Sequence, residues 1–186
     1  MRNLTQTQID NIILDAGILF ANYGETGVRE IGITKGGVEF NVTENVRQIE
    51  YDGRRGMTKG MEVVDSIDAY MKVTTLEASQ ANIMETLAAA TNATSVITNS
   101  QAGVVPAAHY LKNVTVFGKQ IGTTKYKKIT LFNAGGAGGI TVAMTDKAEA
   151  GIAIQFNAHW NPLNVADPLY KIEDSTTAPT TTGGAS

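Results

Sequence analysis

The sequence predicts a mainly β protein, a β-sandwich or barrel with one long β-hairpin and one flanking α-helix. Three observations predict it. Nineteen glycines against four prolines accompany heavy use of Thr, Asn and Ala, a composition that favours strands joined by glycine turns. Two long segments alternate apolar and polar residues with the period of two that a strand produces, and one short segment carries an apolar stripe at helical spacing. The chain has 186 residues, 42% hydrophobic and 18% charged, which suits one domain with appendages and excludes disorder throughout.

Taken in order, residues 1–15 read as an N-terminal arm, in which Ile9, Ile12 and Ile13 fit one helical face. Ala16 to Asn22 reads as a short strand ended by Tyr23-Gly24-Glu25-Thr26-Gly27, and Arg29 to Lys35 as a second ended by the turn Gly36-Gly37. In the next segment Val38, Phe40, Val42 and Val46 alternate with Glu39, Asn41, Thr43 and Asn45, with Glu44 the exception on the apolar face. The pattern slips near Arg47-Gln48-Ile49, consistent with a bulge, and stops at the turn signal Asp52-Gly53. It resumes with Met61, Val63, Ile67, Ala69, Met71 and Val73 on one face and Glu62, Ser66, Asp68, Lys72 and Thr74 mostly on the other. Ser79 can cap a helix near 79–91 with the stripe Ile83, Met84, Leu87 and Ala88, although Asn82 stands where a capping box has Glu or Gln.

After a polar loop over 94–107, strands are expected at Asn113 to Phe117, Tyr126 to Phe132, Ile140 to Met144 and Ala150 to Trp160. The domain thus spans 16–162. Residues 163–186, ending in the low-complexity run Ser175 to Gly184, read as a flexible C-terminal tail.

The hairpin formed by the two alternating segments is the informative feature. About 15 residues at roughly 3.3 Å each span on the order of 50 Å, whereas strands usually have 5 to 6 residues. A compact domain of this size has a diameter near 40 Å, so the hairpin either bends within its own sandwich or projects. Long uncovered edges aggregate unless another strand pairs with them, which makes controlled assembly between chains a natural use.

Catalytic chemistry finds little support. His109 and His159 are the only histidines and sit in no ligand or triad spacing. Cysteine is absent, so thiolate catalysis, disulfides and Cys-based zinc sites are excluded. Gly135-Gly136-Ala137-Gly138-Gly139 shares only its glycine content with phosphate loops and reads as a turn. Asp65 and Asp68, at odd separation, are expected on opposite faces of their strand. No cofactor, metal or enzymatic activity is expected.

The net charge of −3 gives no nucleic-acid footprint, yet charge is segregated. Residues 112–147 hold Lys112, Lys119, Lys125, Lys127, Lys128 and Lys147 against Asp146 alone, while 37–77 hold eight acids against five bases. The lysines read either as solvated strand edges or as a basic surface facing a partner. Asp10, Asn11 and Asp15 interrupt the N-terminal isoleucines, so no signal sequence, no membrane association and a cytosolic site of synthesis are expected.

Asp15-Ala16-Gly17, Asn22-Tyr23-Gly24-Glu25 and Gly36-Gly37, followed by the hairpin with Ile49-Glu50-Tyr51-Asp52-Gly53 and Gly56-Met57-Thr58-Lys59-Gly60, resemble in their order the tail tube (major tail) proteins of long-tailed bacteriophages. The resemblance covers about residues 10 to 90. It implies a structural virion protein of the tail, assembled in the bacterial host cytoplasm, with six copies per ring and rings stacked into a tube lined by the hairpins. It further implies transient passage of DNA without specific binding, and contact with other tail proteins such as the tape measure and tail-end proteins. The polar faces then offer Glu39, Asn41, Thr43, Asn45, Glu62, Ser66 and Asp68 to a neutral-to-acidic lumen, since a sliding polyanion must not be held by Lys or Arg. Arg54, Arg55 and Lys59, set among glycines in a loop too long for a tight turn, are the candidates for contact between rings. The alternative is a β-sandwich binding module of carbohydrate-binding or baseplate type, for which aromatics at 6% and a single tryptophan supply a poor stacking surface.

Overall fold

The computed structural model describes residues 3–13, 16–88, 90–99, 102–142, 146 and 149–180. Its elements are α1 (Gln6–Asp10), β1 (Ile18–Ala21), β2 (Arg29–Glu30), β3 (Thr34–Gln48), β4 (Glu62–Thr75), α2 (Gln80–Thr86), β5 (Ala90–Ala93), β6 (Val96–Asn99), β7 (Leu111–Lys119), β8 (Tyr126–Gly136), β9 (Ile152–Asn157) and β10 (Tyr170–Ser175). The protein is mainly β, as its composition and alternation predict. An antiparallel sheet runs in the order β2-β1-β7-β8-β9-β4-β3, with β10 on the free side of β8 and a separate β5-β6 hairpin. β8 joins two halves. Its residues up to Ala134 pair with β7, and Gly135 and Gly136 pair with Asn157 and Phe156 of β9.

The two halves enclose one core in which Leu19, Ile31, Met71, Val73, Val114, Val116, Leu131, Ile152, Ile154 and Phe156 are buried. Period-two burial follows from the pleat: Ile152, Ile154 and Phe156 point inward while Ala153 faces out. Burying a side chain such as Phe156 fully contributes about 2–3 kcal/mol. On the opposite face of β7, Phe117 meets Phe20, Tyr23 and Tyr126 at ring separations of 6.0, 4.8 and 6.5 Å. The turn after β1 is locked there, because Asn113 accepts from the Tyr23 N–H (2.8 Å) and donates to the Tyr23 carbonyl (3.1 Å).

Several expectations are corrected. Gly36-Gly37 is not a turn: both glycines lie inside β3 at φ +83° and +81°, where residues 35–37 of β3 oppose Thr74 alone on β4. The expected second strand is reduced to β2. The Asn-for-Gln exchange at the helix start has a reason, since buried Asn82 donates to the carbonyls of Ile31 (3.1 Å) and Glu77 (3.0 Å) and accepts from Arg29 (2.7 Å). α2 stops at Thr86 because Leu87 is extended (φ −105°, ψ 121°), so the end of the expected helix gives way to β5, whose partner β6 lies in the expected polar loop. Gly135 and Gly136 are strand rather than turn. A Cβ at residue 136 would lie 2.1 Å from the Glu85 carbonyl oxygen, so glycine is what lets α2 close onto the sheet.

The C-terminal segment is not a free tail from residue 163. β10 pairs with β8 from Tyr170 to Ser175, Leu169 is buried, and Glu173 meets Lys128 (2.8 Å) and Lys171 (2.6 Å), whose hydrogen bonds hold its carboxyl below the ordinary carboxylate range. Residues 181–186 of the expected tail lie outside the described residues, as do Arg2, Asp15, Lys147 and residues 143 and 144 of the strand expected at 140–144, whose described part forms no strand beyond the single bridge of Val142 to Ile152. In the arm, Thr5 and Gln8 form a complete capping box on α1, and Ile13 bridges Gln120.

Candidate assembly surface

The β3-β4 hairpin projects. β9 covers the outer edge of β4 only from Tyr70 to Thr75, and among the described residues no strand pairs with the other edge of β3. Residues 43–48 and their partners therefore extend about 20 Å, at roughly 3.3 Å per residue, with both edges unpaired. The lengthwise argument from the sequence left bending and projection open, and the exposure of residues 43–47 and 64–66 on both faces decides for projection.

The same register sorts the side chains. Glu39 faces Lys72, Asn41 faces Tyr70, Thr43 faces Asp68 and Asn45 faces Ser66. The Asn45 amide donates to the Ser66 hydroxyl (2.7 Å), and the Lys72 ammonium stands 4.7 Å from the Tyr70 ring centre. These six candidates, Glu39, Asn41, Thr43, Asn45, Ser66 and Asp68, do share one polar face. Glu62 does not. Between Ser66 and Val64, Asp65 is bulged out, so Val46 faces Val64, Arg47 faces Val63 and Gln48 faces Glu62. A one-residue bulge moves every later side chain to the other side of the sheet, which brings Val63 to the polar face and puts Glu62 and Val64 on the apolar one. Bulged Asp65 accepts from Arg47 (2.8 Å), so the odd-spacing argument that separated it from the Asp68 face fails for the same reason. The polar face carries Glu39 and Asp68 against Lys72, with Arg47 paired to Asp65: it is close to neutral.

The opposite face continues the core outward. Val38, Phe40 and Val42 pack against the buried cluster, but farther out Val46 is 52% and Val64 49% exposed, with Ile67 half-buried beside Glu44. Alternation alone finds Val46 and Ile67; the bulge hides Val64.

The connecting loop is more ordered at its base than its composition suggests. The Ile49 N–H donates to Met61 (2.8 Å), the Thr58 N–H to the Gln48 side chain (3.2 Å), and the Tyr51 and Thr58 hydroxyls are hydrogen-bonded (3.0 Å). Arg54 lies 3.9 Å from Glu50; Arg55 and Lys59 are exposed at the tip.

Elsewhere, His159 touches the Asn133 carbonyl through Nδ1 (3.0 Å) and the Tyr110 ring, and His109 is half-buried. Among the described residues no three His, Cys, Asp or Glu side chains gather as a metal site, and no helix is long and apolar enough to cross a membrane. Comparison with known protein families and with curated proteins finds no match.

Proposed function

We propose that this chain is a structural virion protein that polymerises as stacked hexameric rings into a phage tail tube, through which DNA passes during ejection. The observation that carries the reading is the projecting hairpin, unpaired along both edges, apolar on one face and near neutral on the other. Unpaired edges of this length are a hazard in a monomer. Closure of the hairpins of several copies into one barrel removes them, because a barrel has no edge strands. The polar face then lines the lumen, where balanced charge lets a polyanion slide without counterion-release affinity. The order of glycine turns and hairpin in the sequence supports the same reading, and it involves no catalysis, cofactor or specific nucleic-acid recognition.

Electron microscopy of the concentrated protein tests it: rings and tubes are expected, and dispersed monomers that bind glycans would support a binding module instead. Proline at Val42 removes a donor in mid-strand, either toward β4 or toward the neighbouring copy. Tubes should vanish in Val42→Pro, and normal tubes from it would refute the hairpin's role.

A further inference from the structure

The loop between β9 and β10 displays exposed apolar side chains. It is built as a rigid knob. Asp167 uses both carboxylate oxygens internally, accepting from Asn161 (2.6 Å) and Asn164 (2.7 Å). The Asn161 and Asn164 side chains in turn accept from the N–H groups of Leu163 (3.0 Å) and Ala166 (3.3 Å). Both ends are anchored, by buried Leu169 with its carbonyl on the Phe132 N–H (2.9 Å) and by Asn133 donating to the His159 carbonyl (3.2 Å). What this scaffold displays is apolar: Leu163 is 94% and Val165 81% exposed, with half-exposed Trp160 at the base. Beyond His159 at its base, Asp167 is its one ionisable side chain, and that charge is engaged within the loop.

We infer that this knob seats on the apolar hairpin face of a second copy, Leu163 and Val165 against Val46, Val64 and Ile67. Two uncovered apolar surfaces lie on one chain, and because all of these side chains except half-buried Ile67 remain well exposed, the knob does not cover its own hairpin. A second copy supplies both surfaces in equal number, so each molecule hides its knob and its hairpin face together, whereas an unrelated partner leaves one of them wet. Knob and seat are different surfaces, so a contact made once per pair is heterologous and repeats from copy to copy, closing into a ring where its rotation closes, whereas two copies exchanging both contacts at once would stop at a dimer. Their placement fits neighbours side by side. β9 ends at Asn157 opposite Tyr70, where β4 leaves the sheet, so knob and hairpin issue from the same end of the sandwich. Copies related by rotation alone meet at one level. The inference deepens the tube reading by naming the contact between neighbours in a ring.

The test uses two full-length variants, Leu163→Asp with Val165→Asp, which lacks the knob, and Val46→Asp with Val64→Asp, which lacks its seat. All four sites are exposed, and circular dichroism checks the fold. By sedimentation each variant alone should remain monomeric where the wild type forms rings, and an equal mixture should give a one-to-one dimer and no ring. A knob-deficient chain that assembles like wild type, or a mixture without dimer, would overturn the contact while leaving the tube reading intact. Dimers lost with the knob, from a wild type that never forms tubes, would support the contact and remove the tube. A wild type monomeric at every concentration would overturn both.

Discussion

Gly136→Ala adds a single methyl group where α2 touches the sheet. The new Cβ would stand 2.1 Å from the Glu85 carbonyl oxygen, 3.1 Å from the Glu85 carbonyl carbon and 3.2 Å from that of Thr86. All three are backbone atoms, so no side chain can swing aside; the C-terminal turn of α2 must retreat by about 1 Å to restore ordinary contact. Gly136 has no positive φ, which makes the effect purely steric. Overpacking of this kind costs about 1–3 kcal/mol. The retreat also stretches the hydrogen bond from the Gly139 N–H to Thr86 (3.0 Å) and the contact between Arg29 and Glu85 (2.5 Å), and charge-assisted bonds are worth about 1.5–3 kcal/mol. A loss of about 3 kcal/mol is expected, or roughly 6–12 °C in Tm for a chain of this length. Urea unfolding followed by tryptophan fluorescence and far-UV circular dichroism measures it. Gly103→Ala is the control, because no atom lies within 4 Å of its Cβ position and its φ is not positive. A Gly136→Ala protein within about 0.5 kcal/mol of wild type would refute the account of how α2 is seated.

The clamp on α2 gives an asymmetric pair of mutants. Burial pushes the Glu85 carboxyl above the ordinary carboxylate range despite the opposing pull of Arg29. Its folded form therefore holds a proton more tightly than the unfolded one, so this group adds stability at acid pH that is lost as pH rises through the folded pKa. Glu85→Gln should flatten that slope with little cost at pH 7, while Arg29→Met, which strands the carboxylate, should cost about 3 kcal/mol; urea titrations at pH 7 and pH 4.5 separate the two. In the proposed tube, Glu39→Lys with Asp68→Lys should leave assembly intact and slow DNA ejection at low salt, whereas Glu62→Lys, on the other face, should not. Arg54→Glu with Arg55→Glu should fold and form rings but fail to elongate. Tryptic cleavage at those arginines should be rapid in monomers and suppressed in tubes, and equal rates would remove the loop from the contact between rings.

What could be read from the sequence was whatever depends on neighbours two to four residues away. The long strands, the Ser79 cap and the inward face of β9 all follow from local periodicity. Glu62 was misplaced because one bulged residue, Asp65, inverts the parity of everything beyond it, and the slip in the pattern pointed to the partner strand near Arg47 instead. Gly36-Gly37 and Gly135-Gly136 look like turns in isolation. Their glycines serve a two-residue excess against β4 and a close approach of α2, both set by chain far away in sequence. β10 escaped notice because its inward residues are few and its hold on β8 comes from cross-strand ion pairs, which leave no apolar alternation. The knob is illegible in the sequence because its Asn and Asp residues look like solvated loop, and their bonds to one another exist only once the loop is folded.

The shared strand has a mechanical consequence. A pull on the hairpin tip along its length enters the body through β4, whose six registered pairs with β9 from Tyr70 to Thr75 are loaded together in shear. The next joint, from β9 to β8, is a ladder of two pairs at Gly135 and Gly136, neither of which has a side chain to interlock. Tension that passes the first joint must be carried across the second by Ile152, Ile154 and Phe156 gripping the opposite half of the core. Under load the molecule should yield at this glycine seam, opening between its halves with the hairpin still whole.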